Sequence, residues 1–164
     1  MKENLTHFDK EGQAIMVDVS DKANTHRTAV ACGFIKMNEA AFNAVESGNS
    51  KKGDVLALAR VAGIMASKSC PSLIPLCHTV PIESVSVSFA LHRSACEIEA
   101  QCTVSCTGKT GVEMEALCGV NIALLTIYDM CKAADRGMTI HTVRLLKKQG
   151  GKSGHYRRGN CNDV

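Results

Sequence analysis

The chain has no tryptophan and only 4% aromatic residues, so it is poorly supplied with the stacking platforms that grip single-stranded nucleic acid. A strong excess of either charge is also missing. Its 19 basic and 16 acidic residues leave +3, mixed along the sequence rather than gathered in a tail, and that balance calls for no nucleic-acid partner. No apolar run approaches the roughly 20 residues that cross a bilayer: the run 122–125 is followed by Thr126 and soon by Asp129. No membrane partner is expected. Met1-Lys2-Glu3-Asn4 opens no apolar signal core, and no internal repeat is found.

Cysteine, by contrast, is plentiful. Nine cysteines in a short secreted chain would suggest a disulfide framework, but the count is odd and no signal core precedes it. A reducing, cytoplasmic setting and a soluble protein are the expectation. At 164 residues and 45% hydrophobic content, the chain is long enough for one core and too short for two. From 96 to 106 the even positions read Cys, Ile, Ala, Cys, Val, Cys and the odd ones Glu, Glu, Gln, Thr, Ser, the alternation of a half-buried strand. Cys102 and Cys106 then share a face roughly 13 Å apart, too far to chelate one ion, and are expected to fill the core as small hydrophobes.

The order of elements predicts a fold. Residues 28–37 read as a strand; Asn38 can cap a short helix ending near Gly48, and Asp54 a second helix over 55–69, before Pro71. Alternation at Val85, Val87, Phe89 and Leu91 gives a strand that turns at 92–95 into the strand 96–106, a hairpin. A long helix is predicted from about Glu113 to Ala134, closed by Gly137. The last strand, 138–147, changes apolar parity between Ile140 and Val143, which a bulge would repair. Strand, helices, hairpin, helix, strand is the split βαβ order of a ferredoxin-like α+β sandwich, an antiparallel sheet packed against helices. Residues 28–149 would form that catalytic domain, between a partly flexible segment 1–27 and a flexible basic tail 150–164.

The long helix carries two carboxylates at its entrance and a carboxylate plus an amine at its exit. Glu115 and Asp129 are fourteen positions apart, so they lie about 21 Å from one another along one stripe. One small site in a single chain would not use both, which leaves a long ligand or sites completed by neighbouring subunits. Gly108-Lys109-Thr110 and Gly151-Lys152-Ser153 imitate a phosphate-binding P-loop, but Thr103 and Leu146 stand where the motif needs glycine. The first is still a glycine-flanked loop entering a helix, whose amides can hold an anion. Leu76-Cys77-His78, between Pro75 and Pro81, offers a positioned His; adjacent Cys and His rarely chelate one ion, and no second pair has zinc-like spacing, so no metal site is expected. Lys52 precedes a helix start, where the macrodipole and Lys51 disfavour an ammonium charge. Lys132 follows Asp129 at a helix end, where both favour it. Two amines in opposing environments can divide acid and base work, although ordinary surface lysines would look the same.

Taken together, LTHFD, MVDVSDK, KKGDVLALARVAGIMASK, LIPLCH, TGKTGVEMEAL, LTIYDMCK and GGKSG, in this order and spacing from residue 5 to about 156, closely resemble the MoaC family. That resemblance implies a lyase of molybdenum-cofactor biosynthesis, converting 3',8-cyclo-7,8-dihydroguanosine 5'-triphosphate to cyclic pyranopterin monophosphate with release of pyrophosphate. It implies substrate contacts at Leu76, Cys77, His78, Met114 and Glu115, and catalytic roles for Asp129, Lys52 and Lys132. No metal or other cofactor is implied. The expected assembly is a homohexamer, a trimer of dimers with active sites between subunits, with transient contact to the preceding radical enzyme. Arg27, Lys148 and Lys152 are candidates for holding the triphosphate, and Lys52 is assigned as general base with Lys132 as general acid. The alternative is a non-enzymatic ferredoxin-like sensor of a small ligand, which would have little use for two paired amines; a purely structural assembly subunit is a third reading.

Overall fold

Residues 25–36 alternate buried and half-buried positions, and they form β1 (Thr25–Lys36), the middle strand of the sheet. The computed structural model describes residues 7–9, 11–48, 53–152 and 154–159. Asn38 caps α1 (Glu39–Glu46) by accepting a 2.9 Å bond from the Ala41 amide, and Asp54 caps α2 (Val55–Lys68) in the same way through Ala57. A single turn, α3 (Cys70–Leu73), follows. The hairpin is β2 (Ile82–His92) and β3 (Glu97–Gly108), joined by a 3-10 turn at Arg93–Ala95. Then come α4 (Glu113–Cys131), β4 (Thr139–Gln149) and a two-residue strand, β5 (Tyr156–Arg157), paired to β4.

The sheet order is β2-β3-β1-β4-β5, antiparallel throughout, which is the expected ferredoxin-like α+β sandwich. β3 buries the even-numbered face, with Ile98, Ala100, Cys102, Val104 and Cys106 all fully inside. The bulge in β4 is present: Cys32 faces Arg144 and Phe34 faces His141, so β4 carries one extra residue there, and Thr142 takes it up at φ +54°.

Two sequence expectations need correction. The long helix ends at Cys131 rather than Ala134, and Gly137 does not close it; Ala134 and Asp135 both donate backbone bonds to the Cys131 carbonyl. Asp135 is drawn aside because its Oδ2 accepts from the Asn38 amide at 2.7 Å, while Asn38 Nδ2 donates to the Ala134 carbonyl. Second, α4 is long and apolar enough by length and composition to cross a bilayer. Its sequence is that of a core helix, because it lies on β1, β3 and α2 and buries Ala116, Val120, Ala123, Leu124 and Ile127.

Helices α2 and α4 approach closely enough that two glycines are required. A Cβ on Gly119 would come within 2.6 Å of both Cys102 Sγ and Ser67 Oγ, and one on Gly63 within 2.8 Å of the Gly119 carbonyl. Ser67 is fully buried in this seam and donates to the Glu115 carbonyl at 2.9 Å. The first turn of α4 is thereby fixed against the end of α2, and the loop after α3 runs beside it.

Candidate active site

Beside that first turn lies a cavity of about 580 Å³. Its walls come from three stretches far apart in sequence. The loop after α3 supplies Ile74, Pro75, Leu76, Cys77 and His78; the entrance of α4 supplies Thr110, Gly111, Glu113, Met114 and Glu115; an N-terminal strap supplies His7, Val17, Val19 and Lys22. All five residues predicted to contact substrate therefore line one cavity. The strap is held by two long-range bonds: His78 Nε2 donates to the Val17 carbonyl at 2.7 Å, and Lys109 Nζ donates to the Ser20 carbonyl at 2.7 Å. The His78 bond requires a hydrogen on Nε2, which makes Nδ1 the acceptor in the neutral ring.

Glu115 is the buried charge of the site, 1% exposed. Its Oε1 accepts from the Cys77 thiol at 3.7 Å, while Oε2 is buried with no hydrogen-bond partner among the described residues. Burial pushes its carboxyl pKa up, against the lowering effect of its hydrogen bonds. Cys77 is raised as well, by burial first and then by the neighbouring Glu115 charge. Both shifts run toward the neutral form of the group.

A second cavity, of about 410 Å³, opens beside the first and shares Lys22, Thr110, Gly111 and Glu113 with it. Its other walls are Arg27, Lys109, Lys148 and Lys152, so five cations line it. Arg27 is buried and anchored, donating from Nε to the Gly108 carbonyl and from a terminal nitrogen to the Lys109 carbonyl, both at 3.3 Å. Gly150 and Gly151 both have positive φ, and a Cβ on either would collide with the His26 carbonyl or the Arg27 guanidinium. No side chain caps the start of α4 at Val112. Five cations and one carboxylate, Glu113, which pairs with Lys148 at 3.3 Å, therefore border one anion-sized space at the uncapped start of α4.

The predicted residues do not all meet. Asp129 and Lys132 stand at the exit of α4, exposed and paired at 2.7 Å, and neither lines the described cavities. The hydrogen bond from Lys132 to Asp129 raises the lysine pKa, with the carboxylate charge adding to it. Lys52 lies outside the described residues. Sequence reasoning assigned no site role to His7, Val17, Val19, Lys22 or Lys109. The block MVDVSDK was the available signal for the strap.

Comparison with known proteins is consistent with this geometry. A model of the MoaC family matches residues 16–151. The chain is 55% identical over 154 residues to the cyclic pyranopterin monophosphate synthase of Novosphingobium aromaticivorans, covering 94% of this chain and 97% of that one. It is 53% identical over 155 residues to the synthase of Pelobacter propionicus (94% and 97%), and 53% identical over 156 residues to that of Clostridium botulinum (95% and 98%). This chain belongs to the MoaC family.

Proposed function

We propose that this chain is a cyclic pyranopterin monophosphate synthase, a phosphorus-oxygen lyase that converts 3',8-cyclo-7,8-dihydroguanosine 5'-triphosphate to cyclic pyranopterin monophosphate and pyrophosphate. The observation that carries the reading is the pair of joined cavities, one walled by Leu76-Cys77-His78 and Met114-Glu115, the other by five cations. The first suits a purine-derived ring with several polar edges, and the second its triphosphate. Glu115 and Cys77 offer polar contacts to the ring, and His78 is held in one tautomer by Val17.

Phosphate cyclisation needs a substrate hydroxyl to attack the α-phosphorus while the bond to the β-phosphate breaks and pyrophosphate leaves. Lys22, Arg27, Lys109, Lys148 and Lys152, with the opening amides of α4, stabilise the charge that develops on the leaving group. Opening the aminal-type ring moves protons, which is work for an acid and a base. Lys52 is assigned as base, and Lys132, whose charge Asp129 secures, as acid.

The exposed pair Asp129 and Lys132 reaches the substrate from a neighbouring chain, within a homohexamer built from dimers. Support comes from the apolar residues left outside: Leu58, Val61 and Met65 at a spacing of three and four on α2, and Leu125 one turn before Asp129 on α4. An assembly would cover them. The test supplies the cyclised dihydro-GTP anaerobically and reads the fluorescent pterin formed after oxidation. Wild type should form product, while Lys52→Ala and Lys132→Ala should each lose about 10²–10⁴-fold in rate. Product formation that survives both substitutions removes these lysines from the mechanism, and a wild type that leaves the compound untouched removes the reaction.

A further inference from the structure

Beneath the ring cavity lies a cluster of sulfur that shares only Cys77 with the substrate contacts and adds Cys70 and Cys118. Cys70 Sγ is 3.8 Å from Cys77 Sγ, Cys77 Sγ is 3.7 Å from Glu115 Oε1, and Cys118 Sγ is 3.6 Å from Cys70 Sγ. The Cys70, Cys77 and Glu115 ligand atoms all lie within 4.8 Å of one another. We infer that Cys70, Cys77 and Glu115 bind one thiophilic divalent cation of the zinc class, and that this cation and the substrate exclude each other.

The spacing is that of a tetrahedral site already near its final size. Zinc–sulfur bonds of about 2.3 Å and zinc–oxygen bonds of about 2.0 Å put two sulfurs about 3.8 Å apart and a sulfur and an oxygen about 3.5 Å apart. The Cys70–Cys77 and Cys77–Glu115 separations need shifts of no more than a few tenths of an ångström, and Cys70 and Glu115, within 4.8 Å of one another, close the triangle by side-chain rotation. An independent feature points the same way: Glu115 is 99% buried, yet its Oε2 has no hydrogen-bond partner among the described residues. Cys118, 9% exposed, stands next to Cys70 and can supply a third sulfur by a rotamer change. His78 is not among the clustered ligand atoms, and its Nε2 is committed to Val17.

An ion must displace the protons that the two thiols and the carboxyl hold, so affinity rises with pH. Entry is through the ring cavity, which Cys77 and Glu115 both line. Cys70 lines no described cavity. An ion seated here therefore takes two of the groups assigned to the substrate, which makes it an inhibitor rather than a resident cofactor.

Anaerobic titration of the full chain with Co²⁺ reads the site by absorption, independently of any reaction. One equivalent per chain, with a near-ultraviolet thiolate-to-metal band and strong tetrahedral visible bands, is expected, and Zn²⁺ should displace it. Cys70→Ser should weaken binding by at least about tenfold, since even second-shell losses reach that size, and should leave zinc-free turnover unchanged. Absence of the thiolate band in wild type, or a band unchanged in Cys70→Ser, overturns the site. If Cys70→Ser does not fold, X-ray absorption of zinc-loaded wild type decides: two or three sulfurs with an oxygen support the site, and a shell of nitrogen and oxygen alone overturns it. The exclusion rests on the proposed function and is read separately, as a Zn²⁺-dependent rise in KM with kcat unchanged, reversed by EDTA and lost in Cys70→Ser. Sulfur ligation with undisturbed turnover overturns the exclusion. A zinc-free wild type without turnover refutes the assigned reaction and leaves the ion site standing.

Discussion

Mixing two inactive variants tests whether opposite ends of α4 serve one pocket. Glu115 and Asp129 are fourteen positions apart on a continuous helix, a distance of about 21 Å. The ring cavity, about 580 Å³, is only about 10 Å across if taken as a sphere, at the small-molecule end of binding sites. One chain therefore cannot bring both carboxylates to one ring. Glu115→Ala should cost a buried polar contact of about 1–3 kcal/mol, or roughly 5–150-fold in kcat/KM. Asp129→Ala should cost about 10²–10⁴-fold if the residue assists proton transfer. When the two chains assemble at equal ratio into two-fold dimers, half of the dimers are mixed, and each mixed dimer has one site with both defects and one with neither. Turnover should return to about a quarter of wild type. The assay is pterin fluorescence on the two chains co-expressed at equal ratio and purified without selection for mixed assemblies. A mixture no more active than the mean of the two variants would refute the shared pocket.

Two further outcomes follow from the seam between α2 and α4. Gly119→Ala places a methyl within 2.6 Å of Cys102 Sγ and Ser67 Oγ, so it should cost about 1–3 kcal/mol of stability by overpacking. Cys102→Ala should offset part of that cost, giving a non-additive cycle in urea melts; two costs that simply add would show that the sulfur is not what the methyl meets. Burial pushes the Cys102 thiol up to about 11 from the ordinary 9.0, against a lowering bond from Ser67. The unfolded chain loses this proton first as pH rises, so the stabilisation is complete below pH 9 and declines up to about pH 11, by at most about 3 kcal/mol. Cys102→Ala should flatten that part of the stability–pH curve, and an unchanged slope would assign it to other groups.

The parts of the fold legible in the sequence are those set by neighbours along the chain. The alternation of β3, the caps Asn38 and Asp54, and the parity break in β4 each involve residues a few positions apart, and each is found where the pattern put it. The site was legible only where a loop or a helix start carried a dense block of reactive residues, as at 76–78 and 114–115. The strap was not, because Val17 and Ser20 are placed by His78 and Lys109, 61 and 89 positions away, and a segment without periodicity announces no partner. The sulfur cluster was hidden for the same reason. Cys70 and Cys118 read as ordinary small hydrophobes, and only the glycine-lined contact of α2 with α4 brings them 3.6 Å apart.

That contact also explains why the reagents on α4 cannot be gathered into one chain's pocket by small adjustments. The first turn is tied to α2 through Ser67 and the Glu115 carbonyl, and the segment just past the last turn is tied to the cap of α1 through Asn38, Ala134 and Asp135. Deleting one residue between these ties would turn one end about 100° relative to the other and carry Ala123, Leu124 or Ile127 out of the core. Burial therefore fixes both the length and the phase of the helix. A pocket at its entrance that needs an amine of the Lys132 kind has to receive it from another molecule. Leu125, exposed one turn before Asp129, then becomes apolar surface that a docking chain would bury while delivering that charge.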